Sequence, residues 1–248
     1  MKIKKGMVLA AGYGKRLMPL TTAIPKPLLK IDNKTLIENS INILQEFGVK
    51  EIVINVHHLA DKIFSYFKTK KFNSKIQIVH EEGKILDTGG GILNALDKFD
   101  NEPFIVLNPD TIWNKGFLKD FVAMGSLIKS KKDEAILHVV NKNRSFDKSF
   151  VGDFNLKNNI LSRDNEFKNY IYTGAQILNK EVFLGFTDRI FSINKVWDQL
   201  IFNKKLLGFE SNENFYHVRN LEIYNKLKTK FTNEMDWQYF FYFFSKKR

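Results

Sequence analysis

Apolar positions along the chain fall into short unbroken runs separated by amphipathic stretches. Met7-Val-Leu-Ala10 is apolar throughout, and Ile52-Val-Ile-Asn-Val56, Ile76-Gln-Ile-Val-His80, Phe104-Ile-Val-Leu107 and Ala135-Ile-Leu-His-Val-Val140 repeat the pattern. Runs of this length read as buried strands. Between the first two, Leu36, Ile37, Ile41, Leu44 and Phe47 recur at helical spacing, with Asn33 as the expected N-cap and Gly48 at the stop. A second helix is predicted through Ile63 and Phe67, and a third opens at Gly89-Gly-Gly91. Strand and helix in alternation imply βαβ crossovers, hence an α/β domain with a mainly parallel central sheet flanked by helices. Ligands on such sheets sit beyond the carboxyl ends of the strands, where the loop after Ala10, His57, the Gly89 turn and Asp110 all fall.

From about Phe150 the texture changes. Val151–Leu156 and Ile160–Ser162 flank Lys157-Asn-Asn159 as a hairpin, Tyr170–Leu178 is a further strand, and helices follow around Lys195–Lys205 and Leu221–Phe231. With no linker or repeat, residues 1–232 are expected to form one domain, a ligand-binding half at about 1–140 and a second at about 141–232. An aromatic tail at 233–248 follows. Zero cysteines exclude disulfides and thiolate metal sites. No apolar run approaches a membrane span and no secretory leader is recognised, so a cytoplasmic protein without stable membrane insertion is expected. The formal charge of +12 admits either nucleic acid or small anionic ligands as partners. Lysines are spread along the whole chain without any nucleic-acid motif, which favours a compositional origin and no nucleic-acid partner.

The chemistry is concentrated after the first strand. Gly12 and Gly14 lack the side chains that would keep a ligand from the backbone, so successive N–H groups can face an anion. Lys15 and Arg16 bring positive charge to the loop, and Lys26 adds another between Pro25 and Pro27. The spacing is not that of a Walker A loop, and a dinucleotide fingerprint would need glycine where Leu17 stands. Asp110 ends a buried strand at the ligand edge, where a carboxylate suits Mg²⁺.

Leu9-Ala-Ala-Gly-Tyr-Gly-Lys-Arg-Leu-Met-Pro-Leu-Thr21 followed by Pro25-Lys-Pro27 resembles the N-terminal signature of the sugar-1-phosphate nucleotidylyltransferases, L-A-A-G-x-G-x-R-[LM]-x-P-L-T then P-K-P. The resemblance extends through Leu86-Asp-Thr-Gly-Gly-Gly91 and Tyr172-Thr-Gly-Ala-Gln176. It implies a single Rossmann-like (GT-A-like) domain that transfers a nucleotidyl group from an NTP to a sugar 1-phosphate, with Mg²⁺ or Mn²⁺ as cofactor, in a monomer or homodimer. It also implies roles for individual residues. Arg16 and Lys26 would act on the phosphates. Leu9, Ala10, Ala11, Gly12, Gly14, Lys15, Gly89 and Gly90 would bind the nucleotide. Asp110 would hold the metal. Asn108, Thr173, Gly174 and Lys168 would lie on the sugar side, with Arg163 a second candidate for the sugar phosphate. Phe215-Tyr-His-Val-Arg-Asn220 departs from the family's W-x-D-V-G-T, so that His217 replaces a carboxylate and Arg219 a glycine. This puts a second protein ligand to the metal in doubt, because imidazole suits a hard ion poorly.

Within the family the chain looks most like N-acetylmuramate-1-phosphate uridylyltransferase of cell-wall recycling, with mannose-1-phosphate guanylyltransferase as the alternative. Glu81 or Glu82 would be the acceptor for guanine's N–H groups. A non-catalytic nucleotide-sugar sensor stays open on Pro109, His217 and Arg219, against which Arg16, Lys26 and Asp110 weigh. The tail from Trp237, nearly all aromatic before Lys246-Lys247-Arg248, is expected to pack on the enzyme's body or across a homodimer.

Overall fold

A computed structural model describes residues 3–128, 134–163 and 167–232. In chain order the strands are β1 (Lys5–Leu9), β2 (Lys30–Ile31), β3 (Lys34–Thr35), β4 (Glu51–Val56), β5 (Lys75–His80), β6 (Phe104–Leu107), β7 (Ala135–Asn141), β8 (Asn155–Lys157), β9 (Ile160–Ser162), β10 (Tyr170–Leu178) and β11 (Leu206–Ser211). The helices are α1 (Leu20–Ala23), α2 (Leu36–Phe47), α3 (Ala60–Thr69), α4 (Asp87–Leu93), α5 (Phe117–Leu127), α6 (Asn194–Phe202) and α7 (221–232). The expectation about the aromatic tail falls outside the described residues.

Nine strands form one mixed sheet in the order β5-β4-β1-β6-β10-β7-β11-β9-β8. The block β5-β4-β1-β6 is wholly parallel, as the alternation of strands and helices predicts. Antiparallel pairing enters at β10, which lies between β6 and β7 and joins the two halves of the chain. Alternate strand residues feed two cores. Val8, Ile54, Ile105 and Leu107 face α2, α3 and α5 on one side, while Met7, Val53, Phe104 and Val106 face α4 and α6 on the other. Both faces being covered, the central strands read as unbroken apolar runs. Each fully buried Leu, Ile or Phe among them contributes about 1.5–3 kcal/mol.

The ends of α2 show how local chemistry sets the frame. Gly48 stops it at φ 104°, its N–H bonded to the carbonyls of Leu44 and Gln45. At the start the N-cap is Thr35, whose hydroxyl accepts from the Glu38 N–H at 3.2 Å, and not Asn33 as the sequence suggests. Asn33 instead takes a left-handed conformation with Asp32 in the β2–β3 turn, the other setting that short polar side chains favour. α7 packs Ile223, Tyr224 and Leu227 on Leu17, Leu29 and Leu36, and the Tyr224 hydroxyl donates to the Lys30 carbonyl at 2.9 Å. The residues around the glycine loop are thereby tied to the end of the described chain. Among the described residues no helix is long and apolar enough to cross a membrane.

Candidate active site

Two cavities meet at the carboxyl ends of β1, β4 and β6. The first, about 420 Å³, is lined by the loop from Leu9 to Leu17, by Lys26, Asn55, Asp110 and Arg219, and by Ile85 and the first residues of α4. The second, about 310 Å³, is lined by Asp153, Arg163, Tyr172, Gln176, Trp197 and the 192–194 loop. Leu9, Asp87, Thr88 and Asn108 line both, so the cavities share a wall.

Backbone geometry explains the loop. A Cβ on Gly12 would project into open space, where it would fill part of the cradle. Gly14 is at φ 65°, and a Cβ there would come within 2.9 Å of Thr21 and 3.1 Å of Lys26. Only glycine lets the loop turn left-handed while lying against the Lys26 turn. Behind it Asn55 accepts from the Ala10 N–H at 3.0 Å and donates to Glu81 Oε1 at 2.7 Å, while Glu81 Oε2 accepts from the Leu86 N–H at 2.9 Å. From the sequence, Glu81 or Glu82 is the expected acceptor for guanine. Both Glu81 carboxylate oxygens are taken inside the protein, and Glu82 is exposed without lining either cavity. Tyr13, at the loop tip, packs between His57 and His58 and meets His57 Nε2 at 3.3 Å. His57 Nδ1 faces the Glu81 carbonyl at 2.7 Å, so that nitrogen donates and Nε2 accepts from the tyrosine.

The cations are arranged unequally. Lys15 and Arg16 are exposed at the cavity wall, Lys15 lying over the Tyr13 ring. Lys26 Nζ is only 2.5 Å from Asp110 Oδ2, and both side chains are mostly buried. Burial alone would raise the Asp110 carboxyl, but Lys26 and then His217 outweigh it and hold the carboxyl down to about 2. Asp110 is therefore ionised at neutral pH. The 215–219 segment runs beside it: the Val218 N–H bonds the Asp110 carbonyl at 2.7 Å, and His217 Nδ1 is 3.6 Å from Asp110 Oδ1. Burial pushes His217 down to about 4, against the pull of Asp110 and with Lys26, Arg16 and Arg219 adding to the fall, so its imidazole is neutral at pH 7.

That fall carries a stability prediction. Between about pH 6.5 and pH 4 the unfolded chain takes a proton on this histidine that the folded chain refuses, so stability declines as pH falls through the window. The full difference is on the order of 3 kcal/mol. Urea midpoints of EDTA-treated wild type and His217→Gln are expected to converge at low pH, the variant having the shallower dependence. Parallel curves would contradict a neutral, buried His217.

The remaining sequence-predicted residues divide into two groups. Ala10, Ala11 and Asn108 line the first cavity with the glycine loop. Gly89 and Gly90 lie just behind the wall: their N–H groups bond the Phe191 carbonyl at 2.9 and 3.0 Å and do not face the cavity. A Cβ on Gly90 would come within 2.2 Å of the Arg189 carbonyl, so these glycines serve close packing between α4 and the 189–193 loop. Thr173 is buried with its hydroxyl 2.8 Å from His138, and the Gly174 carbonyl accepts from the Asn108 N–H at 2.7 Å. Both support the wall from behind. Lys168 packs on Gly152 near Asp153 without lining either cavity. Arg163 does line the second cavity, stacked on Phe154, held by Asp198 and donating to Asn194 at 2.6 Å. Asp87, Thr88, Asp153 and Tyr172 are lining residues that the sequence did not single out. Asp87 and Thr88, inside the Leu86-Asp-Thr-Gly motif, and Tyr172, which opens the Tyr172–Gln176 motif, carried a readable signal; Asp153 did not.

Comparison with known proteins decides the family. Residues 5–150 match the model described as "Nucleotidyl transferase". The chain belongs to that family. This nucleotidyltransferase is 29% identical over 221 residues to an N-acetylmuramate alpha-1-phosphate uridylyltransferase of Caulobacter vibrioides, covering 87% of the chain and 91% of the relative. It is 33% identical over 220 residues to a mannose-1-phosphate guanyltransferase of Saccharomyces cerevisiae, with 83% of the chain covered. There it spans only 58% of the relative's length. Among solved structures, a UDP-glucose pyrophosphorylase from acinetobacter baumanii has the same fold, with a TM-score of 0.77 at 18% identity over 96% of this chain and 98% of that one. HddC from Yersinia pseudotuberculosis, solved with GMP-PN, superposes with a TM-score of 0.71 at 25% identity, over 92% and 100% of the two chains.

Proposed function

We propose that this nucleotidyltransferase joins a nucleoside triphosphate to a sugar 1-phosphate, with UTP and N-acetylmuramate 1-phosphate as its pair. The observation that carries the reading is the junction of the two cavities at Leu9, Asp87, Thr88 and Asn108, with Arg16, Lys26 and Asp110 on the side of the first. A triphosphate laid along the glycine loop and a sugar in the second cavity would bring the two phosphates together at that wall. An oxygen of the sugar phosphate attacks the α-phosphorus, the bond to the bridging oxygen breaks, and pyrophosphate leaves with both electrons of that bond. The reaction needs positioning and charge neutralisation and neither a nucleophilic side chain nor a general base. Arg16 and Lys15 hold the departing phosphates, Lys26 steadies the α-phosphate, and Arg163 takes the sugar phosphate.

The residues fit a divalent ion shared with the substrate. Asp110 Oδ1 is buried without a hydrogen-bond partner among the described residues, an ionised oxygen available as a ligand. Mg²⁺ is commonly held by one or two carboxylates together with substrate phosphates and water. Asp110 would supply the protein ligand here, and the ion when bound would neutralise phosphate charge. His217→Asp, which restores a carboxylate beside it, is expected to preserve or raise Mg²⁺-dependent activity.

The choice of UTP is supported by the relative that matches along nearly its whole length and by the commitment of Glu81 to Asn55 and Leu86. Guanine asks for a free acceptor for N1–H and the amino group, whereas uracil is satisfied by one backbone donor and one acceptor. The second reading, GTP with mannose 1-phosphate, has the higher identity in its favour. Measuring kcat/KM for UTP, GTP, CTP and dTTP against N-acetylmuramate, mannose and glucose 1-phosphates separates them. Preference for GTP with mannose 1-phosphate would overturn the first.

A further inference from the structure

Arg219 lines the first cavity, and the structure gives it a built mounting. Its Nη1 donates to Ser149 Oγ at 2.7 Å and lies 3.5 Å from Asp147 Oδ2, and its guanidinium sits over the Phe150 ring at 5.0 Å. Ser149 in turn donates to Asp147 Oδ1 from its hydroxyl at 2.6 Å and its N–H at 2.9 Å. Against the penalty of burial these hydrogen bonds, with Arg219, keep the Asp147 carboxyl below its ordinary range, so the acid is an anion at neutral pH. The pair is asymmetric: the Asp147 side chain is 7% exposed, the Arg219 side chain 34%. The acid lies behind and the cation in front, on the wall of the first cavity.

That wall already holds Lys15, Arg16 and Lys26. Arg16 and Arg219 line the same cavity as Lys26 and Asp110, and Val218, next to Arg219, donates its N–H to the Asp110 carbonyl at 2.7 Å. Among the described residues Asp110 is compensated by Lys26 and Asp147 by Arg219, leaving Arg16 and Lys15 in excess with the front of Arg219 open to the cavity. A purely structural ion pair has no need to present its cation to a cavity. A fork of N–H donors fixed by a buried acid, a hydroxyl and an aromatic face is suited to phosphate oxygens. Arg219 lines the first cavity and not the second, which assigns it to the nucleotide's phosphates and not to the sugar's.

We propose that Arg219 is a substrate-binding residue that grips the β- and γ-phosphates of the nucleoside triphosphate, and the pyrophosphate they become. The inference rests on the function proposed above. The Asp147–Ser149–Phe150 mounting holds the guanidinium in place before substrate arrives, which limits the entropy lost on binding.

Calorimetric titration of the full chain with UTP, GTP, UMP, GMP and inorganic pyrophosphate tests it. Arg219→Gln is expected to weaken the bound triphosphate and pyrophosphate at least about tenfold while leaving the corresponding monophosphate within about twofold. Arg219→Lys should fall between, since it keeps the charge and loses the fork. Because Arg219→Gln leaves Asp147 uncompensated, the double variant Asp147→Asn/Arg219→Gln serves if the single one is unstable. Unchanged triphosphate and pyrophosphate affinity in a folded variant overturns the proposal, as does an equal loss for mono- and triphosphate, the mark of a merely structural role. A wild-type chain that binds neither triphosphate overturns the function reading itself.

Discussion

Lys26→Ala and Arg16→Ala are each expected to lower kcat/KM by at least about two orders of magnitude, the range seen when a positioned transition-state charge is removed. Their effects on stability should differ. Arg16 is exposed and has no hydrogen-bonded partner among the described residues, so its removal leaves the melting temperature nearly unchanged. Lys26, by contrast, is mostly buried and lies 2.5 Å from Asp110 Oδ2. Removing it strands a buried carboxylate, at a cost of about 2 kcal/mol or more. Thermal melts beside steady-state kinetics check both halves. Near-wild-type turnover in either variant would remove the proposed roles.

Asp110→Asn is expected to abolish turnover to a comparable or greater degree while keeping the fold. The amide oxygen can still accept from Lys26, so packing is conserved, but the anionic oxygen that suits a divalent ion is lost. Activity of the wild type is expected to vanish with EDTA and return with Mg²⁺ or Mn²⁺. An Asp110→Asn enzyme with wild-type activity and the same metal response would place the ion elsewhere.

The central parallel strands β1, β4 and β6 were legible because they are buried on both faces and therefore mostly apolar, and the glycine loop because its chemistry is local. β11 was not. Leu206-Leu-Gly-Phe-Glu-Ser211 includes a glycine and ends in a charged and a polar residue. It is a strand because it pairs with β7 and because Ser211 finds buried Asp120, neither of which has a local signature. The same limit applied to single residues. Nothing in the sequence shows that Glu81 is spent on Asn55, or that the Gly89 and Gly90 amides turn to Phe191, since those partners are remote in the chain. Arg219 reads from sequence as a departure that weakens the case for catalysis. Only its placement on the cavity wall, with Asp147 behind it, gives it a use.

The most direct test of the central claim is coupled product analysis of the purified chain with UTP, N-acetylmuramate 1-phosphate and Mg²⁺. One pyrophosphate should appear for each nucleotide-sugar formed, with none released when the sugar 1-phosphate is left out. Pyrophosphate release independent of any sugar 1-phosphate, or tight binding of both substrates without turnover, would contradict it.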